Sequence, residues 1–77
     1  MGEKKRTLAM LEEGESARVC SLCMDGAIRS RLQDMGLIAG TLVHCLQKSH
    51  SGELAAYRIR GAVIALRRQD AGEISVR

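Results

Sequence analysis

The residues best suited to metal or redox chemistry are the cysteines, of which the chain has three. Cys20 and Cys23 form a Cys-x-x-Cys pair, a spacing found in zinc sites and in thiol–disulfide couples. A structural zinc site normally uses a second pair, and only Cys45 is left for it. In a continuous strand, residues three apart also point to opposite faces. We therefore expect free thiols here, with metal binding by Cys20 and Cys23 as the alternative.

The histidines are the second set of potential ligands. His44, His50 and Glu53 flank a predicted turn, and iron(II) accepts imidazole and carboxylate ligands. His44 and His50 match no ligand spacing that we recognise, so we predict that both are exposed side chains on a polar hairpin. The sequence also lacks a nucleophile elbow and a phosphate-binding glycine loop. These patterns predict a protein that is not an enzyme and that has no resident metal or cofactor.

Composition restricts the partners that the chain can bind. The net charge is only +3, and Tyr57 is the sole aromatic residue, whereas nucleic-acid platforms combine basic residues with aromatic ones. No apolar run approaches the roughly 18 residues of a membrane span. The charged start, Met1 to Arg6, is not followed by the apolar segment of a secretory signal. We expect a cytoplasmic protein that binds neither nucleic acid nor the membrane interior.

One short helix is predicted at about residues 25–35. Ile28, Leu32 and Met35 recur at helical spacing and share one face. Asp25 is the predicted N-cap, and Gly36 supplies the positive φ at which helices often end.

The rest of the chain reads as short strands joined by tight turns. Alternation in 54–60 predicts that Ala55, Tyr57 and Ile59 face inward. Five strands are predicted, at 17–22, 42–48, 54–60, 62–67 and 74–76, with helical turns at 8–14 and 68–72. Such short strands favour a small barrel closed on itself, with the helix over one end. The 77 residues should form a single domain, whose first six residues are predicted to be flexible.

Several runs resemble the FeoA family. The run RLQDMGLIAGTLV at 31–43 is similar to the family's helix-exit signature, and IRGAVIALRR at 59–68 is similar to its second signature. DAGEISV at 70–76 resembles the closing segment, and Leu8, Leu11, Gly14 and Glu15 match the opening pattern. Ala39 stands where the family usually has proline. Because alanine does not fix φ as proline does, the difference affects the rigidity expected of that turn.

The resemblance implies an SH3-like barrel and an accessory role in bacterial ferrous iron uptake. The implied partner is the cytoplasmic part of FeoB, a membrane transporter with a GTP-binding domain. The alternatives are a metal carrier or sensor, and a regulatory module of the kind found in metal-dependent repressors.

Binding to such a partner, or to further copies of the chain, requires an apolar surface. Leu37 and Ile38 are adjacent aliphatic residues outside the helix, and three further side chains are candidates if they are exposed. The predicted partner contacts are therefore Leu37, Ile38, Leu42, Leu46 and Tyr57.

Overall fold

The computed structural model describes residues 6–77, which form a mainly antiparallel β structure with short helices. The strands are β1 (Arg6–Thr7), β2 (Ser16–Leu22), β3 (Leu42–Lys48), β4 (Leu54–Ile59), β5 (Ala62–Arg67) and β6 (Ile74–Val76). The helices are α1 (Ala27–Asp34) and α2 (Arg68–Ala71), and a 3₁₀ turn covers Leu8–Met10. The predicted fold class is confirmed. The predicted flexibility of residues 1–5 lies outside the described residues, whereas Arg6 pairs with Val76.

The strands form one antiparallel sheet in the order β1-β6-β2-β3-β4-β5. All five predicted strands are present, and β1 is a sixth that the sequence analysis missed because two residues show no periodicity. Strands β1 and β5 lie at the two ends of the sheet and are not hydrogen-bonded to each other. The prediction of a barrel whose sheet closes on itself, without edge strands, is therefore wrong. Instead, α2 packs against both β5 and the 3₁₀ turn that follows β1.

The core is almost entirely aliphatic, as the composition requires. Tyr57 and Ile59 of β4 face inward as predicted, and the hydroxyl of Tyr57 donates to the carbonyl of Leu8 at 3.3 Å. The buried hydrophobic residues are Leu8, Leu11, Ala17, Val19, Leu22, Met24, Leu32, Leu37, Val43, Cys45, Tyr57, Ile59, Leu66, Ala71, Ile74 and Val76. Within residues 6–77, no helix has the length and apolarity needed to cross a membrane.

Helix α1 begins later than predicted and ends before Gly36, as predicted. Its N-cap is Gly26, without a capping side chain, so the prediction of Asp25 as the N-cap is wrong. At the other end, Leu37 N donates to the carbonyl of Leu32 at 2.9 Å, and Gly36 N donates to that of Gln33 at 3.0 Å. With Gly36 at φ 102°, this is a Schellman motif, as the glycine predicted.

Candidate partner-binding surface

The side chains predicted to contact a partner divide into exposed and buried ones. Ile38 and Leu42 are 48% and 50% exposed, and Leu46 is half-buried. Leu37 and Tyr57 are 0% and 1% exposed, so Leu37 is not the surface side chain that was expected, and Tyr57, a candidate only if exposed, is no longer one. Their side chains belong to the core and are not available to a second molecule.

The burial of Leu37 follows from the end of α1. In a Schellman motif, the residue after the glycine commonly packs on the residue at the third position from the helix end. Here those residues are Leu37 and Leu32, and both lie in the core. Gly36 was therefore a sequence signal that Leu37 is buried while Ile38, one residue later, is released to the surface.

The loop between α1 and β3 holds Ile38 in a defined position. The hydroxyl of Thr41 donates to the carbonyl of Gly36 at 2.9 Å, and Thr41 N donates to that of Ile38 at 3.0 Å. Gly40 N donates to the carbonyl of Val19 at 2.7 Å, which ties the loop to β2. The exposed isoleucine is thus carried by a loop that is hydrogen-bonded within itself and to the sheet.

Leu42 lies in a shallow groove on the outer face of the sheet. The register pairs Arg18 of β2 with Leu42 of β3, and His44 of β3 with Arg58 of β4. Val43 and Ile59 point inward. Because side chains alternate across a strand, Leu42, His44 and Arg58 point outward. The groove has a volume of about 440 Å³ and is lined by Arg18, Gly40, Thr41, Leu42, His44, Arg58, Arg60 and Gly61.

The charge of this groove is positive. Three of its lining residues are arginines, and no carboxylate of the described chain lines it. Arg18 donates from Nη1 to the carbonyl of Gly40 at 2.9 Å, a neutral partner that leaves its charge uncompensated. Between residues 6 and 77, the single ion pair joins Arg6 to Glu15 at 3.0 Å and does not include these arginines.

Arg60 occupies an unusual backbone position. Arg60 has φ 52° and Gly61 has φ 84°, and together they form the two-residue connection between Ile59 and Ala62. Positive φ at both positions characterises the type I′ turn, which favours asparagine or aspartate at its first position. Arginine therefore occupies a site where a residue with a shorter side chain would fit the backbone better.

The side chain of Arg60 lies across the end of α1. A Cβ atom built on Gly36 would overlap with Cδ of Arg60, and it would lie 3.4 Å from both Cγ and Nε. Gly36 is thus required twice, once for its positive φ and once for the room that it leaves to Arg60. This contact links the helix-exit segment to the β4–β5 turn.

The predicted metal-ligand candidates are dispersed. Cys20 and Cys23 are exposed, and Cys20 stands at a bulge where β2 shifts its register with β6. His50 is exposed, whereas His44 is half-buried with Nδ1 2.6 Å from the hydroxyl oxygen of Ser16. No group of three or more cysteine, histidine, aspartate or glutamate residues suited to a metal ion occurs in the part of the chain that the structure describes.

Two buried groups have perturbed acidity without forming a reactive site. Burial raises the pKa of the Cys45 thiol above its ordinary value, with a smaller opposing effect from Lys48. Burial likewise raises the pKa of Tyr57 to about 12. Both groups therefore stay protonated at neutral pH, so that neither supplies a thiolate or a phenolate to chemistry.

Sequence reasoning missed the three arginines as a group. Alternation already placed Arg58 and Arg60 on the outer face, but exposed arginines are common on soluble proteins and do not mark a site. Arg18 is forty residues earlier, and only the pairing of β2 with β3 brings it beside Leu42. The missing information was the register of these strands.

Solved structures of FeoA proteins resemble this chain over most of its length. The FeoA protein of Chlorobium tepidum is 31% identical with a TM-score of 0.88, and the match covers 92% of this chain and 68% of that one. The zinc complex of Stenotrophomonas maltophilia FeoA is 29% identical with a TM-score of 0.83, covering 94% and 89%. That protein is described as a prokaryotic SH3 domain protein and a candidate activating factor of ferrous iron transport.

A likeness to a manganese-dependent transcriptional repressor concerns the fold alone. The identity is 18% at a TM-score of 0.81, and the match covers 99% of this chain but 37% of the repressor. Among curated protein sequences, none shows a significant match. The model of the FeoA domain, in contrast, matches residues 6–77. The resemblance inferred from the glycine and arginine motifs is therefore confirmed, and the chain belongs to the FeoA family.

Proposed function

We propose that this protein is a cytoplasmic accessory protein of bacterial ferrous iron uptake that binds the cytoplasmic part of the FeoB transporter. Its membership of the FeoA family supports the link to iron transport. It acts by binding, without catalysis and without a resident cofactor.

The observation that carries this proposal is the pair of exposed aliphatic side chains, Ile38 and Leu42. Ile38 and Leu42 lie near each other in the chain, on the loop after α1 and at the start of β3. Each leaves about half of its surface in water. Contact with a partner would remove this apolar surface from water, which favours association by roughly 25 cal/mol per Å² before the costs of binding.

The test is a pull-down with the cytoplasmic domain of the transporter, with and without GTP. We expect the wild-type protein to be retained and Leu42→Ser to bind at least about tenfold more weakly, as for a central contact. Met10→Ser is the matched control, because Met10 is 56% exposed and lies on the 3₁₀ turn. If the wild-type protein shows no association under any nucleotide condition, the proposal fails.

The zinc complex of the Stenotrophomonas relative favours a second candidate function, that of a metal carrier. Cys20 and Cys23 would be its ligands here, because both thiols are exposed. Metal analysis of protein purified without added metal tests this. A stoichiometric metal that is lost in Cys20→Ser would support the function of a metal carrier. Metal-free protein that still binds the transporter would exclude that function.

A further inference from the structure

We infer that the groove around Leu42 is the face that binds the partner, and that it takes an acidic segment with an apolar side chain between carboxylates. This inference rests on the proposed function and specifies its surface and the chemistry of its ligand. The groove residues that would make the contact are Arg18, Leu42, Arg58 and Arg60.

The geometry of the groove determines what can fill it. Arg58 lies in β4 and Arg60 is the first residue of the turn that follows this strand, and both line the groove. Arg18 lies two strands away from β4, at about 10 Å, with Leu42 on the strand between them. Positive charges therefore flank an apolar centre, and the complementary ligand has carboxylates on both sides of an apolar side chain.

The arginines are suited to carboxylates and are available to them. A guanidinium binds a carboxylate through two parallel N–H groups, which gives both strength and orientation. No carboxylate of residues 6–77 pairs with any of the three. Arg18 is already oriented by its bond to the carbonyl of Gly40, so that less side-chain freedom is lost on binding.

The backbone of Arg60 gives independent support. A non-glycine residue at positive φ, as at Arg60, is uncommon and lowers the folding equilibrium constant about tenfold. Such a conformation persists when the surrounding structure or the function requires it. Asparagine would fit the type I′ turn with less strain. The side chain of Arg60 packs over Gly36 and also lines the groove, so a binding role for its guanidinium is consistent with its retention at this position.

Other anionic partners fit the groove less well. Lipid headgroups are commonly bound by clusters of about four to eight basic residues, and three surround this recessed groove. Single-stranded nucleic acid binds through aromatic stacking, and the sole aromatic side chain, that of Tyr57, is buried. The observations therefore favour an acidic protein segment.

The first experiment is an NMR titration of the isotope-labelled protein with the peptide Gly-Ser-Glu-Ser-Leu-Ser-Glu-Ser-Gly, whose glutamates and leucine share one face when the peptide is extended. We expect amide shifts confined to residues around Arg18, Leu42 and Arg58, and weaker binding at about 1 M salt, where screening shortens to about 3 Å. The same peptide with glutamine in place of glutamate should shift these amides much less. Equal shifts with both peptides, or shifts centred elsewhere, would overturn the inference.

The second experiment compares charge variants in the peptide titration and in the transporter pull-down. Arg58→Glu should weaken both interactions at least about tenfold, whereas Arg29→Glu, an equal charge change on the exposed face of α1, should leave them unchanged. Arg60→Asn should weaken binding without unfolding the protein, because the better fit of asparagine to the turn offsets the lost contact with Gly36. It therefore separates a binding defect from a folding defect.

The outcomes distinguish this inference from the proposed function. If Arg58→Glu and Arg60→Asn bind the transporter domain as well as the wild type does, the surface is wrong while the proposed function stands. If the wild type does not bind the domain, the proposed function fails and the peptide titration alone decides the surface. Binding of phosphatidylserine vesicles or of an oligonucleotide that depends on Arg58, without peptide binding, would also overturn the inference.

Discussion

The contact between Gly36 and Arg60 predicts a measurable energetic coupling. Gly36 has φ 102°, so alanine there costs about 1–2 kcal/mol in backbone strain alone. Its methyl group would also displace the side chain of Arg60, and overpacking costs about 1 kcal/mol when the neighbour can yield. We expect Gly36→Ala to lower the free energy of unfolding by roughly 2–3 kcal/mol, equivalent to a fall in Tm of about 10–20 °C.

Two comparisons separate the strain from the overlap. Gly40 has a similar φ of 90°, but a Cβ atom there would meet nothing within 4 Å. Gly40→Ala should therefore cost only the backbone strain, roughly 1–2 kcal/mol. In an Arg60→Ala background the overlap at Gly36 is removed, and Gly36→Ala should then cost about as much as Gly40→Ala.

The assay is urea unfolding followed by far-ultraviolet circular dichroism for the wild type, the single variants and the double variant. The free energies form a double-mutant cycle, in which we expect a coupling of about 1 kcal/mol between positions 36 and 60. Additivity within about 0.3 kcal/mol would refute the argument, because it would show that Arg60 does not lie over Gly36.

Three further predictions concern the core and the thiols. Alkylation of the folded protein followed by mass spectrometry should modify Cys20 and Cys23 quickly and Cys45 slowly, because Cys45 is buried with a raised pKa; equal rates for all three would contradict its burial. Between pH 10 and about 12 the folded state keeps the proton of Tyr57 while the unfolded state has lost it, so the free energy of unfolding should fall by up to roughly 3 kcal/mol relative to Tyr57→Phe. If both proteins follow the same alkaline curve in denaturant titrations, the raised pKa is wrong. Leu37→Ala should lower the free energy of unfolding by about 2–5 kcal/mol in the same titrations, since the side chain is fully buried. A loss below about 0.5 kcal/mol would show that Leu37 is exposed and not part of the core.

Strand periodicity and turn residues predicted most of the fold. Residues 42–48 and 62–67 are strands with the predicted bounds, because each alternates or clusters aliphatic residues between clear turn signals. The predicted end of α1 at Gly36 is also confirmed, since a positive φ there is a local requirement that glycine meets. The two-residue strand β1 escaped prediction because its pairing partner, β6, lies at the other end of the chain.

The surface was predicted less completely than the fold. Ile38 and Leu42 are exposed, as a partner contact requires, whereas Leu37 and Tyr57 are in the core. For Leu37 the sequence contained the answer, since the residue after a Schellman glycine commonly packs inward. Tyr57 was a candidate only if exposed, and its inward-facing position in β4 had already predicted its burial.

The sequence by itself determined which residues turn the chain, which face of each strand is apolar and to which family the chain belongs. The turns and the apolar faces depend on a residue and its near neighbours, and the family follows from motifs ordered along the chain, so none of them requires knowledge of contacts between distant segments. The tertiary structure decided that Arg18 joins Arg58 and Arg60 around Leu42, and that Arg60 crosses Gly36. Those contacts depend on strand register and on the packing of distant segments, which no local pattern specifies.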